Sequence, residues 1–203
     1  MSSHIQPSRA EIRAEARSAL SGRWARAIAV SAIPVVVSFI LQEFGRFGGL
    51  LELLVAGPLA LGSALFYLAL ARRREIAVGM IFDGFRYYGK ALGLYLLMAL
   101  FVFLWTLLLV IPGIIAAYRY SQAYYILADN PETGVLEALD RSKQLMTGHK
   151  WRLFVLQLSF LGWAILAVIP FGLGLLWLMP YVSASAAVFY RHLIEEPLVP
   201  ATF

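Results

Sequence analysis

The sequence predicts an all-α, polytopic integral membrane protein with six transmembrane helices paired as three hairpins, in a single membrane domain over residues 1–203. Three observations lead there. Of 203 residues, 61% are hydrophobic and 14% charged, with a mean hydropathy of +0.74, whereas an ordinary soluble domain carries roughly 25% charged residues. The charges fall in short clusters separated by long uncharged intervals. The basic residues among them gather at one side of the hairpins that those intervals define.

The first element is a short amphipathic helix over 8–22. Ser8-Arg9-Ala10-Glu11 has the form of a capping box just after Pro7, and Ile12, Ala16 and Leu20 form a thin apolar stripe beside Arg9, Arg13 and Arg17. This helix is expected on the membrane surface. No apolar run precedes a small-residue cleavage site, so no cleaved signal peptide is expected.

The spans follow from the uncharged intervals. Two single spans cover 26–42 and 53–71, joined by a short extracytoplasmic loop from Gln42 to Glu52. Ala91–Ala128 and Leu153–Tyr190 are 38 residues each, about 57 Å of helix, nearly two crossings and far too much for one. Each is therefore a hairpin, broken at Pro112-Gly113 into 91–111 and 113–128, and at Pro170-Phe171-Gly172 into 153–170 and 173–190. The linkers 72–90 and 129–152 and both termini are then cytoplasmic. Fifteen of the 17 Lys and Arg lie there, leaving Arg46 outside and Arg119 within a span.

A parallel repeat supports the hairpins. Gly22-Arg23, Gly89-Lys90 and Gly148-His149-Lys150 each precede an apolar run, as C-cap glycine followed by a cation. Trp105 to Pro112 and Trp163 to Pro170 share one spacing. In the last linker, Asp129-Asn130-Pro131 reads as a cytoplasmic helix start, with Leu136, Leu139 and Met146 on one face.

Composition also excludes functions. Without cysteine there are no disulfides, thiol nucleophiles or thiolate metal sites. His4, His149 and His192 have no neighbouring ligand set, and no span holds an acid, so no metal, cofactor or catalytic residue is expected and the chain reads as a non-enzyme. The net charge of +5 is distributed for topology rather than for nucleic acid. The dense polar cluster is Tyr118, Arg119, Tyr120, Ser121 and Gln122. Arg119 either pairs structurally with Glu52 or snorkels, or it serves an anion, headgroup or substrate. The stretches Gly57–Ala64 and Ser183–Ala187 are small-residue surfaces for helix packing. Pro34, Pro58 and Pro180 fall within spans, where they free carbonyls.

Phe82-Asp83-Gly84-Phe85, Ile111-Pro112-Gly113-Ile114-Ile115, Arg119-Tyr120-Ser121, Leu127-Ala128-Asp129-Asn130-Pro131, Ser142 with Leu145-Met146, and Leu158-Ser159-Phe160 with Gly162-Trp163 form an ordered set. As a set they resemble the bacterial integral membrane family known as domain of unknown function 975, from about Arg17 to Tyr190. That family is distantly similar to the membrane portion of some glycerophosphodiester phosphodiesterases, and it supplies no catalytic residues to carry over. The resemblance implies a bacterial plasma membrane protein. The expected role is a non-enzymatic accessory or anchoring protein, in contact with anionic lipid headgroups and with a protein partner at the cytoplasmic helices. The alternative is a small transporter or lipid-handling protein using the Arg119 and tyrosine cluster.

Overall fold

The computed structural model describes residues 7–169 and 172–195, which hold helices and turns but no strand. In order these are α1 (Arg9–Leu20), α2 (Trp24–Gln42), α3 (Arg46–Ala71), α4 (Met80–Asp83) with a 3-10 turn (Gly84–Tyr87), and α5 (Tyr88–Leu108). There follow α6 (Val110–Tyr120), α7 (Ala123–Asp129), α8 (Val135–Leu145), α9 (Lys150–Leu158), α10 (Leu161–Val168) and α11 (Leu175–Glu195). Four helical stretches are long and apolar enough to cross a membrane: Trp24–Gln42, Arg46–Ala71, Met80–Leu108 and Lys150–Val168. The α6–α7 segment and α11, expected as further spans, fall short of that measure for different reasons. Backbone continuity fails between α6 and α7, and α11 carries Arg191, His192 and Glu195 in its last turns.

α3 is the central strut. Its second half, from Gly57 to Ala71, is almost wholly buried, as expected of a helix that is apolar all round. α2, α4, α5, α7 and α11 pack on it. The 72–90 linker is no free loop, because after Arg74 the chain turns back along α3. The backbone of Ile81 lies on Gly62, Gly84 lies on the carbonyl of Pro58, and Ala91 lies on Gly57. A Cβ on Gly62 would overlap the Ile81 carbonyl. The small-residue stretch thus has a specific partner, the returning chain itself.

The ends at which α2 meets α3, α5 meets α6 and α10 stops are apolar and exposed, with Phe47, Leu107 and Ile169 each 73% accessible. Such a continuous apolar surface matches lipid rather than water. The first hairpin turns tightly through Glu43–Gly45, where Gly45 adopts φ +57°, and α3 begins at Arg46. Glu52, expected at the start of a span beginning near residue 53, therefore lies inside α3. In the second hairpin the break falls at the extended Leu109, and Pro112 sits in the first turn of α6, where its missing N–H costs no helical bond. Gly113 admits the close approach of Thr106 there. In the third, α10 ends at Val168. Pro170 and Phe171 of the expected break lie outside the described residues.

α1 has the expected capping box: Ser8 Oγ accepts from Glu11 N–H at 3.3 Å and Glu11 Oε2 accepts from Ser8 N–H at 2.6 Å. Its position differs from expectation. Ile12, Ala16 and Leu20 are buried in the core with Phe66, Phe189 and Leu153, because α11 offers an apolar face for them. α1 is thus docked on the protein rather than laid on lipid. Gly22 and Gly148 take left-handed φ values of +72° and +81°, as C-cap glycines do, whereas Gly89 is inside α5. The expected helix start at Asp129, Asn130 and Pro131 is displaced. Asp129 ends α7, the Asn130 side chain accepts from Glu132 N–H at 3.2 Å in a local turn, and α8 begins at Val135. There Gly134 is the cap residue, and its N–H donates to Glu137 Oε2 at 3.4 Å.

Candidate functional site

Three polar arrangements stand out in this framework. The first is the α6–α7 junction, where the predicted cluster lies. Helical bonding lapses at Ser121 and Gln122, and Ser142 of α8 fills the gap. Its hydroxyl donates to the Arg119 carbonyl at 2.9 Å and accepts from the Gln122 N–H at 3.1 Å. Ser142 is fully buried, and its one hydroxyl satisfies two backbone groups left open by the lapse in helical bonding. Gln122, 1% exposed, donates to Ser121 Oγ at 2.9 Å. Tyr118 donates to Gln157 of α9 at 2.6 Å, and the Tyr120 ring packs against Phe101. Arg119 Nε, Gln122 Oε1 and the Tyr124 hydroxyl are buried without a partner among the described residues.

Glu52 does not join this cluster. Its carboxylate accepts from Ser38 of α2 at 2.7 Å, inside the first hairpin, and no ion pair links it to Arg119 among the described residues. In place of the expected Glu52–Arg119 bridge, Glu52 is held by Ser38, and Arg119 Nε stays without a partner among the described residues. The turn at Glu43–Gly45 holds α2 and α3 side by side, so Ser38 is nearer to Glu52 than α6 is.

The second arrangement joins the ends of α3, α7 and α11. Arg72 grips the Asp129 carboxylate with both terminal nitrogens, the longer bond being 2.8 Å, and Tyr190 donates to the same carboxylate at 3.4 Å. Tyr125 stacks on Tyr190 with centroids 5.5 Å apart. The bonds from Arg72 hold the Asp129 carboxyl below its usual range, against the opposing effect of burial. Beside it, Glu15 of α1 binds Arg191 and receives His192 Nε2 at 2.8 Å. Burial acts to raise the Glu15 carboxyl, but the bonds from His192 and Arg191 outweigh it and the net shift is downward. Arg191 also donates to the Ala71 carbonyl at 3.0 Å, capping α3. These locks join residues 57 to 177 positions apart. No local pattern marks them, so sequence reading missed Arg72, Glu15 and Arg191 as structural residues.

The third is a cavity of about 500 Å³ between α1 and the α10–α11 hairpin, lined by Arg13, Arg17, Trp24, Trp163, Trp177 and Tyr181 among others. A smaller cavity of about 360 Å³ lies beside Pro34, where Ser31 and Tyr67 share a hydrogen bond of 2.5 Å and Tyr67 also donates to the Ala27 carbonyl at 3.1 Å. Among the described residues no group of three His, Asp or Glu is placed to hold a metal ion.

A family model described as "Protein of unknown function (DUF975)" matches residues 1–112 and 106–196. No curated protein and no solved structure matches the chain.

Proposed function

The chain belongs to that family of unknown function, and on this premise we propose that it is a non-enzymatic accessory or anchoring protein of the bacterial plasma membrane. On this reading six membrane-inserted segments form three pseudo-repeated hairpins, both termini are cytoplasmic, and the working surface is the layer of helices on that side. The observation that carries the reading is how the layer is held. α1 and α8, sequences that would otherwise float at a membrane interface, are docked by buried apolar faces and fixed by Glu15–Arg191 and by Ser142. Docking leaves Glu137, Asp140, Arg141 and Lys143 of α8 exposed on a rigid scaffold. A preorganised charged face costs little entropy on binding, which suits a protein partner.

Two measurements test this. The chain lacks cysteine, so single Cys at positions 46 and 143 report topology with an impermeant thiol reagent. Labelling at 46 and protection at 143 in intact cells is expected, and labelling at 143 from outside overturns the arrangement. Mass spectrometry of the tagged protein after gentle extraction should then find a stoichiometric protein that is lost with Arg141→Glu/Lys143→Glu. Retention of every co-purifying protein by that variant counts against the accessory role.

One observation favours a second reading, that of a small transporter or lipid-handling protein. Arg119, Gln122 and Tyr124 each keep a buried polar atom without a partner among the described residues, and buried polar atoms ordinarily have one. A solute retained by the wild type and lost with Arg119→Gln, in protein of normal yield, would move that reading ahead.

A further inference from the structure

The N-terminal helix sorts its charges. Glu11 is committed to the Ser8 capping box, and Glu15 turns toward Arg191 and His192. Arg13 and Arg17, one turn apart on the same face, point instead into the cavity beside α10 and α11. Neither guanidinium is bonded to a described residue, and Arg13 Nε is buried there without a partner. Among the described residues no acid lines the cavity. Two cations thus face a concave space with no counter-charge among the described residues.

The remaining walls say what kind of anion fits. Three of the five tryptophans of the chain, Trp24, Trp163 and Trp177, line the cavity, and indoles favour the headgroup level of a bilayer. Trp163 and Trp177 are 60% and 55% exposed, continuous with the apolar belt that runs through Ile165 and Ile169. The cavity therefore opens sideways onto that apolar belt, which faces lipid on the membrane placement proposed above. Tyr181 donates to the Arg13 carbonyl at 3.3 Å, fixing the α1 backbone to the far wall.

We propose that this cavity is a binding site for one anionic phospholipid, with Arg13 and Arg17 holding the phosphate and the indoles of Trp163 and Trp177 receiving the adjoining acyl chain. The planar guanidinium fork matches phosphate oxygens, and two of them one turn apart can bracket a single phosphodiester. A free phosphate would meet the same arginines but would leave the apolar wall unused. The site deepens the proposed function and rests on its membrane placement.

Trp105→Phe/Trp151→Phe protein leaves the three cavity indoles as the reporters. Purified into neutral phosphatidylcholine nanodiscs, it is titrated with phosphatidylglycerol brominated on its acyl chains. Saturable quenching of tryptophan fluorescence is expected, with a midpoint about tenfold lower than for brominated phosphatidylcholine. Arg13→Gln/Arg17→Gln should raise the midpoint to that of the neutral lipid, and Arg13→Lys/Arg17→Lys should restore part of the difference. Equal midpoints for the two lipids with the wild-type arginines overturn the site without any arginine variant. Relief of quenching by glycerol phosphate at the same concentrations would also overturn it, by showing a soluble phosphate as the ligand. Failure here is distinct from failure of the topology, which the labelling at positions 46 and 143 reads in intact cells.

Discussion

The Arg72 guanidinium and the Asp129 carboxylate, 57 residues apart, form a two-pronged ion pair that ties the end of α3 to the end of α7. Both are partly shielded, so Asp129→Asn should lower stability by about 1–2 kcal/mol, since bonds to a charged partner are lost with little compensation from water. Thermal unfolding in detergent of the two single variants and of the Arg72→Gln/Asp129→Asn double variant checks this. A double variant that loses as much as the sum of the singles would show that the pair is not coupled.

The same pair and the Glu15 lock make stability depend on pH. Both carboxyls sit below their ordinary values in the folded protein. Their contribution is therefore complete above the unfolded values near about pH 4 and is lost as pH falls through the lowered folded values. Melting temperature should drop on acidification below about pH 4. The drop should be smaller in Asp129→Asn, which has one linked proton fewer to take up.

Ser142 bridges the α6–α7 junction from α8. Ser142→Ala leaves the buried Gln122 N–H and the partly buried Arg119 carbonyl without this partner, which should cost about 1–3 kcal/mol. Hydrogen exchange should show faster opening confined to α6, α7 and α8. Unchanged protection there would refute the bridging role.

Gly62 and Gly49 lie on one helix and should respond oppositely to alanine. Gly62 faces the Ile81 backbone, whereas a Cβ on Gly49 meets nothing within 4 Å. Gly62→Ala should cost about 1–3 kcal/mol or separate the returning linker from α3. Gly49→Ala should be neutral or stabilising by up to about 1 kcal/mol, because the unfolded chain loses freedom. Folded yield and melting temperature of the two variants decide it.

Much of the architecture was legible along the chain. Most of α2 and the end of α3 fall within uncharged intervals, the interval 91–128 does contain a helix break, at Leu109 rather than Pro112-Gly113, and Ser8–Glu11 did cap α1. Each of these features is set by neighbours within a few residues or by the uniform requirement of lipid for apolar surface. The candidate cluster was legible in part. Tyr118, Arg119, Ser121 and Gln122 share one junction, but their organiser, Ser142, is 20 residues beyond Gln122. Glu52 looked like a partner for Arg119 because both were expected near the outer ends of their spans; the carboxylate instead takes Ser38, across the α2–α3 turn.

By itself, then, the sequence determined an all-helical chain whose apolar stretches suit a membrane, because hydropathy and capping act locally. Tertiary structure alone decided that α1 docks on α11, that the 72–90 linker returns along Gly57, Gly62 and Gly84, and that Glu15 takes Arg191 while Arg13 and Arg17 face an indole-lined cavity. An amphipathic stripe records that one face must be covered but not what covers it. A charge records that it must be solvated or paired but not by which residue. Both choices depend on which surfaces meet once the helices have packed.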